Sequence, residues 1–295
     1  MCWQAIEQSI SEATARPFTL AHKSSLSGGS INTAFQISDD NSGSKYFVKR
    51  NDVSGLSMFE AEADGLRDLA AAQAIRTPEP VCTGVSDGHA WLVTEYIQLA
   101  RGQAASAAML GQQLAELHRT TSESFGWFRD NTIGSTPQVN RQDNNWVSFY
   151  RTHRLRFQLD LVARNGYSGS LQDKGQRLMA GLEQFFTSYT PQPSLLHGDL
   201  WGGNCSFDEE GRPVIFDPAV YYGDREADIA MTELFGGFSA DFYTAYNEAW
   251  PLDGGYKVRK TLYNLYHILN HANLFGGGYA SQAESMINQL ISEMN

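Results

Sequence analysis

Cysteine is scarce in this chain. Cys2, Cys82 and Cys205 are the three in 295 residues, far apart and in no metal-ligand spacing. That excludes a disulfide framework and a cysteine-rich zinc site, and it suits free thiols in a reducing compartment. Long apolar runs are missing too: none approaches the roughly 18 residues that span a bilayer. The opening MCWQAIEQSISEATARPF has no basic stretch leading into an apolar one, so no signal peptide is expected. Positive charge is in deficit, with 22 Lys and Arg against 33 Asp and Glu and a net charge of −11. Without a basic stripe, a nucleic-acid partner is not expected. Repeats and low-complexity tracts are absent. A cytoplasmic protein with neither nucleic-acid nor membrane partners is the expectation.

What is present is enough for a large core, with 42% hydrophobic and 12% aromatic residues. Residues 3–14 put Trp3, Ile6 and Ile10 on one helix face. Strands then flank a glycine turn, Ser27-Gly28-Gly29-Ser30, and Tyr46-Phe47-Val48-Lys49 reads as a further strand. Phe59, Ala63, Leu66 and Ala70 predict a helix from about Ser57 to Ala74, stopped by Pro78 and Pro80. After the apolar strand Trp91–Ile97 helices dominate, interrupted by a strand-rich island at 194–217. The expected fold is α+β and bilobal, with an N-terminal lobe at 1–97 and a mostly helical lobe at 98–295.

The strongest chemical signal is His197-Gly198-Asp199-Leu200-Trp201-Gly202-Gly203-Asn204, followed by Ile215-Phe216-Asp217-Pro218. Phosphoryl transfer needs a carboxylate to orient and deprotonate the attacking hydroxyl, and oxygen ligands to hold Mg²⁺ against phosphates. Asp199 suits the first task, and Asn204 with Asp217 the second. Asp and Asn also favour plain turns, so a bare D-x₄-N would mean little. The His-Gly-Asp start, the intervening hairpin and the apolar strand ending in Asp217 make the combination specific.

These segments resemble the fructosamine kinase (ketosamine-3-kinase) family, a branch of the aminoglycoside-phosphotransferase-like kinases. The likeness runs over nearly the whole chain. HGDxxxxN and FDP mark the wider kinase group, whereas FGW…TIGSTPQ, HGDLWGGN and YGDREADIAM are specific to the family. The resemblance implies a protein-kinase-like fold, ATP and Mg²⁺, and phosphorylation of a ketosamine at its 3-hydroxyl. The ketosamine would be free or carried on a glycated protein lysine, and the enzyme a monomer or weak homodimer. Kinases of an aminoglycoside, choline or homoserine, and a non-catalytic nucleotide-binding module, are the alternatives.

Given that motif, Lys49 is expected to bridge the α- and β-phosphates. Glu62 is its expected partner rather than Glu60, because Glu62 shares the helix face of Phe59 and Leu66. Gly28, Gly29 and Ser30 are expected to cover the phosphates. Some family members carry cysteine at the position of Ser30, so redox control of this loop is not expected here. Glu95 and Tyr96, at the lobe junction, are expected to read adenine through the main chain.

Trp201, Asp224 and His271 are the expected acceptor contacts, with Asp224 and Glu226 near the cleft to meet a protonated amine. Asp228 is expected to brace the catalytic loop. His267 and His271 have the i, i+4 spacing of a metal pair, but without a third ligand they read as packing or hydrogen-bonding residues. Gly198 stands where regulated protein kinases carry an arginine. Only six residues separate Asp217 from Asp224, too few for an activation loop.

Overall fold

A computed structural model describes residues 2–26 and 31–294. The glycine turn 27–30 lies outside the described residues. The first part is an antiparallel sheet of β1 (His22–Leu26), β2 (Thr33–Ser38), β3 (Lys45–Asp52), β4 (Pro80–Ser86) and β5 (His89–Glu95), in the order β1-β2-β3-β5-β4. Period-two alternation splits its side chains between two helices. Val48, Trp91 and Val93 join Ile6 and Ile10 of α1 (Cys2–Thr14) on one face. Ala90 and Leu92 meet Phe59 and Ala63 of α2 (Leu56–Ala71) on the other. Each large apolar side chain buried this way stabilises by about 1.5–3 kcal/mol. Helix α2 stops three residues short of the expected Ala74, because Gln73 takes a left-handed φ of 54°.

Beyond Glu95 the chain becomes mainly helical and builds the larger core. Strand β6 (Leu99–Ala100) precedes α3 (Ala104–His118), and β7 (Asn131–Ile133) and β8 (Thr136–Gln138) form a small hairpin. Next come α4 (Trp146–Phe149), a π-helical stretch, α5 (Phe157–Arg164) and α6 (Ser170–Ala180). The strand island follows as β9 (Ser194–Leu196), β10 (Cys205–Asp208), β11 (Pro213–Ile215) and β12 (Tyr221–Gly223). Helices α7 (Glu226–Leu234), α8 (Ala240–Ala249), α9 (Tyr256–Phe275) and α10 (Tyr279–Glu293) complete it. Strand β10 pairs with β11 and β6, and β9 pairs with β12, which fixes the loop 197–204 between two short sheets. No helix among the described residues is long and apolar enough to cross a membrane.

Candidate active site

Lys49 lies on β3 opposite Leu92 in register, on the side of the sheet that faces α2. Its Nζ donates to Glu62 Oε1 at 2.6 Å and to Asp217 Oδ1 at 2.5 Å. Burial works against the ammonium, but Asp217 and Glu62 outweigh it and hold Lys49 above the ordinary lysine range. Glu60 points elsewhere, toward Arg129 at 3.6 Å.

The catalytic loop is braced from beneath. The N–H groups of His197 and Gly198 donate to the two oxygens of Asp228, at 2.7 and 2.9 Å. Asp228 in turn takes a hydrogen bond from His118 Nε2 at 3.3 Å, while Tyr246 Oη lies 2.8 Å from His118 Nδ1. His118 is fully buried, and burial holds it below the usual histidine range, so the neutral ring serves as a spacer. His118 and Tyr246 come from α3 and α8, 110 and 18 residues from Asp228, and no local pattern marks them. The His197 ring ties the loop to the residue after β11, with Nε2 2.9 Å from the Phe216 carbonyl oxygen and Nδ1 accepting from Asp199 N–H at 3.3 Å.

Asn204 closes the loop. Its Nδ2 donates to the carbonyl and Oδ2 of Asp199, at 2.9 and 3.1 Å, and toward the Asp217 carbonyl at 3.4 Å. That orientation leaves Asn204 Oδ1 and the half-exposed Asp217 carboxylate as oxygens that could take a cation. Asp217 has φ +58°, an uncommon backbone state for a residue with a side chain and one that clusters at functional sites. Burial, with the Asp217 and Asp228 charges, pushes the Asp199 carboxyl up to about 7 against the Asn204 hydrogen bond. A general base works best with its pKa near the operating pH.

Lys49, Glu62, Asp199, Asn204 and Asp217 line one cavity of about 870 Å³. At one end lie Glu95, Tyr96 and Ile97. The Glu95 N–H is taken by the Glu79 carbonyl at 2.8 Å and its carboxylate by Arg76 at 2.5 Å, so main-chain donors for a base must come from beyond Glu95. The other end is aromatic. Trp201 packs edge-on to Phe235 with ring centres 6.2 Å apart, and His271 lies between Phe235, Phe275 and Tyr279. Gly203 makes room for Trp201, since a Cβ there would collide with the indole. His271 Nδ1 donates to the His267 carbonyl at 2.8 Å, which leaves Nε2 as the acceptor. Phe235, Phe275 and Tyr279 escaped the sequence reading, although His267, Asn270, His271 and Phe275 share one face of α9 by their spacing. Among the described residues, His267 and His271 gather no third metal ligand.

Asp224 does not reach this cavity. It is fully buried and accepts from Tyr189 Oη at 2.8 Å, Tyr263 Oη at 2.5 Å and the Glu226 N–H at 3.1 Å. Glu226 is likewise buried, in a two-point pair with Arg259 at 2.7 and 3.0 Å. A buried carboxylate needs several hydrogen bonds to offset lost hydration, and these partners supply them. The acidic run is internal framework, and the expectation of an Asp224 substrate contact is corrected.

The fold is shared with a choline kinase from Streptococcus pneumoniae, at a TM-score of 0.60 and 15% identity over 99% of each chain. The fold is of the protein-kinase-like class, and the family match and close relatives make the chain an ATP-dependent phosphotransferase. Within that class the chain belongs to the fructosamine kinase family, whose model matches residues 2–293. It is 48% identical over 290 residues to a "Probable ketoamine kinase" of Synechocystis, covering 98% of this chain and 97% of the relative. It is 44% identical over 271 residues to a chloroplastic protein-ribulosamine 3-kinase of Arabidopsis thaliana, covering 90% and 82%. A crystal structure of a candidate fructosamine-3-kinase from Haemophilus somnus superposes with a TM-score of 0.89 at 32% identity, covering 98% and 97%.

Proposed function

We propose that this enzyme transfers the γ-phosphoryl group of ATP to the 3-hydroxyl of a ketosamine, either free or on a glycated lysine, and so begins deglycation. The observation that carries the reading is the convergence of Lys49, Asp199, Asn204 and Asp217 on one cavity in a chain that matches a ketoamine kinase over 98% of its length and a ribulosamine kinase over 90%. Residues 1–97 supply the phosphate and adenine contacts, and residues 98–295 the catalytic loop, the Mg²⁺ ligands and the acceptor site. Asp199 orients the acceptor hydroxyl and accepts its proton, and Lys49, steadied by Glu62, binds the phosphates. Asn204 Oδ1 and the Asp217 carboxylate would hold Mg²⁺, and two protein oxygens suit an ion commonly bound by few protein ligands. When bound, Mg²⁺ neutralises charge on the phosphates.

Because Asp224 and Glu226 are buried away from the cavity, the substrate amine meets rings rather than carboxylates at the Trp201–His271 wall. A cation over aromatic faces is stabilised by roughly 0.5–2 kcal/mol. A monomer or weak homodimer belongs to this reading, and the free thiols of Cys82 and Cys205 suit the cytoplasm.

The test is an ATP-coupled assay over lysine ribulosamine, erythrulosamine and fructosamine, the matching free ketoses, aminoglycosides and choline. The expected result is kcat/KM for a small ketosamine at least ~10-fold above its free ketose, with phosphorus at O3 by NMR. Good turnover of aminoglycosides or choline with failure of every ketosamine would overturn the acceptor assignment.

A further inference from the structure

Residues 125–140, between α3 and α4, lie along the outside of α2 and reach across to the chain just after Asp217. Trp127 Nε1 donates to Asp68 Oδ2 at 2.7 Å. Two residues on, Arg129 donates to Asp64 Oδ2 at 2.6 Å and toward the Ser57 carbonyl at 3.4 Å, with Glu60 at 3.6 Å. Glu60, Asp64 and Asp68 recur every four residues and so form one stripe along the helix that carries Glu62.

The strap itself is fixed to the helical lobe. Gly126 and Tyr222 exchange backbone hydrogen bonds at 2.9 and 2.8 Å. Fully buried Arg154 holds the Val139 carbonyl and Asn140 Oδ1 at 2.6 and 2.7 Å. Asn131 Nδ2 donates to the Val220 carbonyl at 2.8 Å and Gln138 Nε2 to that of Ala219 at 3.1 Å. Val220 also packs against α2, where a Cβ on Gly65 would come within 3.0 Å of its Cγ2. The strap therefore joins, through contacts on three sides, the helix bearing Glu62, the segment following Asp217 and the body of the larger lobe.

We propose that this strap is a strut that holds α2 at the depth where Glu62 meets Lys49, with Arg129 and Trp127 as positioning residues for ATP binding. The inference rests on the reading of Lys49 as the phosphate-binding lysine. A swinging α2 would lengthen the Lys49–Glu62 contact and leave Lys49 paired to Asp217 alone.

The test is a cycle of Arg129→Gln, Glu62→Gln and the double variant in the full chain, read by Mg-ATP calorimetry and by turnover of lysine ribulosamine. Arg129→Gln is expected to weaken Mg-ATP about 10-fold while the acceptor KM stays within about 2-fold. Arg129→Lys, which can still reach Asp64, should restore most of the loss. If Arg129 acts through Glu62, the double variant is within about 2-fold of Glu62→Gln. An Arg129→Gln protein with unchanged ATP affinity, or a cost fully additive with that of Glu62→Gln, overturns the strut. A Glu62→Gln protein that binds ATP normally overturns the Lys49–Glu62 reading and the strut with it. Should Arg129→Gln not fold, Asp68→Asn, which keeps the side-chain shape and weakens the Trp127 bond, enters the same cycle with an expected loss of about 3-fold.

Discussion

The two ends of the cavity are built on opposite principles. At the nucleotide end, Lys49, Glu62 and Asp217 form a close charged triad, with Asn204 and Asp199 hydrogen-bonded beside it. At the proposed acceptor end, Phe235, Phe275 and Tyr279 surround His271, Trp201 packs against Phe235, and none of these side chains is a carboxylate. Phosphates demand fixed charge and metal ligands at set distances, whereas a sugar and an alkylamine stem can be held by ring faces and neutral nitrogens. Damage at one end should therefore read out on ATP and at the other on the acceptor.

The largest effect is expected at Asp217. Replacing it with alanine removes the proposed metal ligand and a partner of Lys49, and turnover should fall by about 10³-fold or more. Mg-ATP should weaken more than adenosine by calorimetry; equal losses for both would remove Asp217 from the phosphate end. Next comes Asp199→Asn, which keeps the shape of the loop but not the base. Turnover should drop at least ~10²-fold with ATP affinity retained, and near-normal rates in the purified variant would refute the assignment. At the opposite end, Trp201→Leu should lower kcat/KM for a ketosamine about 10-fold and leave the ATP KM within about 2-fold. A shift in ATP KM instead would mean that the two ends are not separable.

The smallest expected effect is on stability and tests the neutrality of the aromatic end. Burial lowers His267 to about 3, while an unfolded histidine titrates near 6.5. Above pH 6.5 neither state is protonated there and the stabilising contribution is complete. Below it the unfolded chain takes up the proton first, so stability is lost progressively down to about pH 3. His118 and His197 are also lowered by burial and act in the same direction. Urea midpoints should show His267→Gln removing about 1 kcal/mol of the loss between pH 6.5 and 5.5. An unchanged slope would mean that His267 is already charged when folded.

The same contrast explains what was legible in the sequence. Asp199, Asn204 and Asp217 lie within nineteen residues, and a loop plus a hairpin of that length leaves little freedom in where they meet. Glu62 could be preferred to Glu60 because helix periodicity separates their faces, and the 2.6 Å contact to Lys49 follows that periodicity. The acceptor wall draws on the catalytic loop, the C-terminal end of α7, α9 and the start of α10, and no spacing rule links elements so far apart. Asp224 was misread for the same reason. Its partners Tyr189 and Tyr263 lie 35 and 39 residues away, so nothing local distinguishes it from a solvated acid.

Gly198 sets a limit on how this enzyme can change. Its φ of +82° and the Ala219 carbonyl pressed against it leave no space for a Cβ, and Gln138 holds that carbonyl from the other side. A single substitution cannot place an arginine here without breaking the loop that positions Asp199. Pairing of a phosphorylated segment with an arginine at position 198 is thus out of reach by point mutation, and any control of the enzyme has to enter by another route.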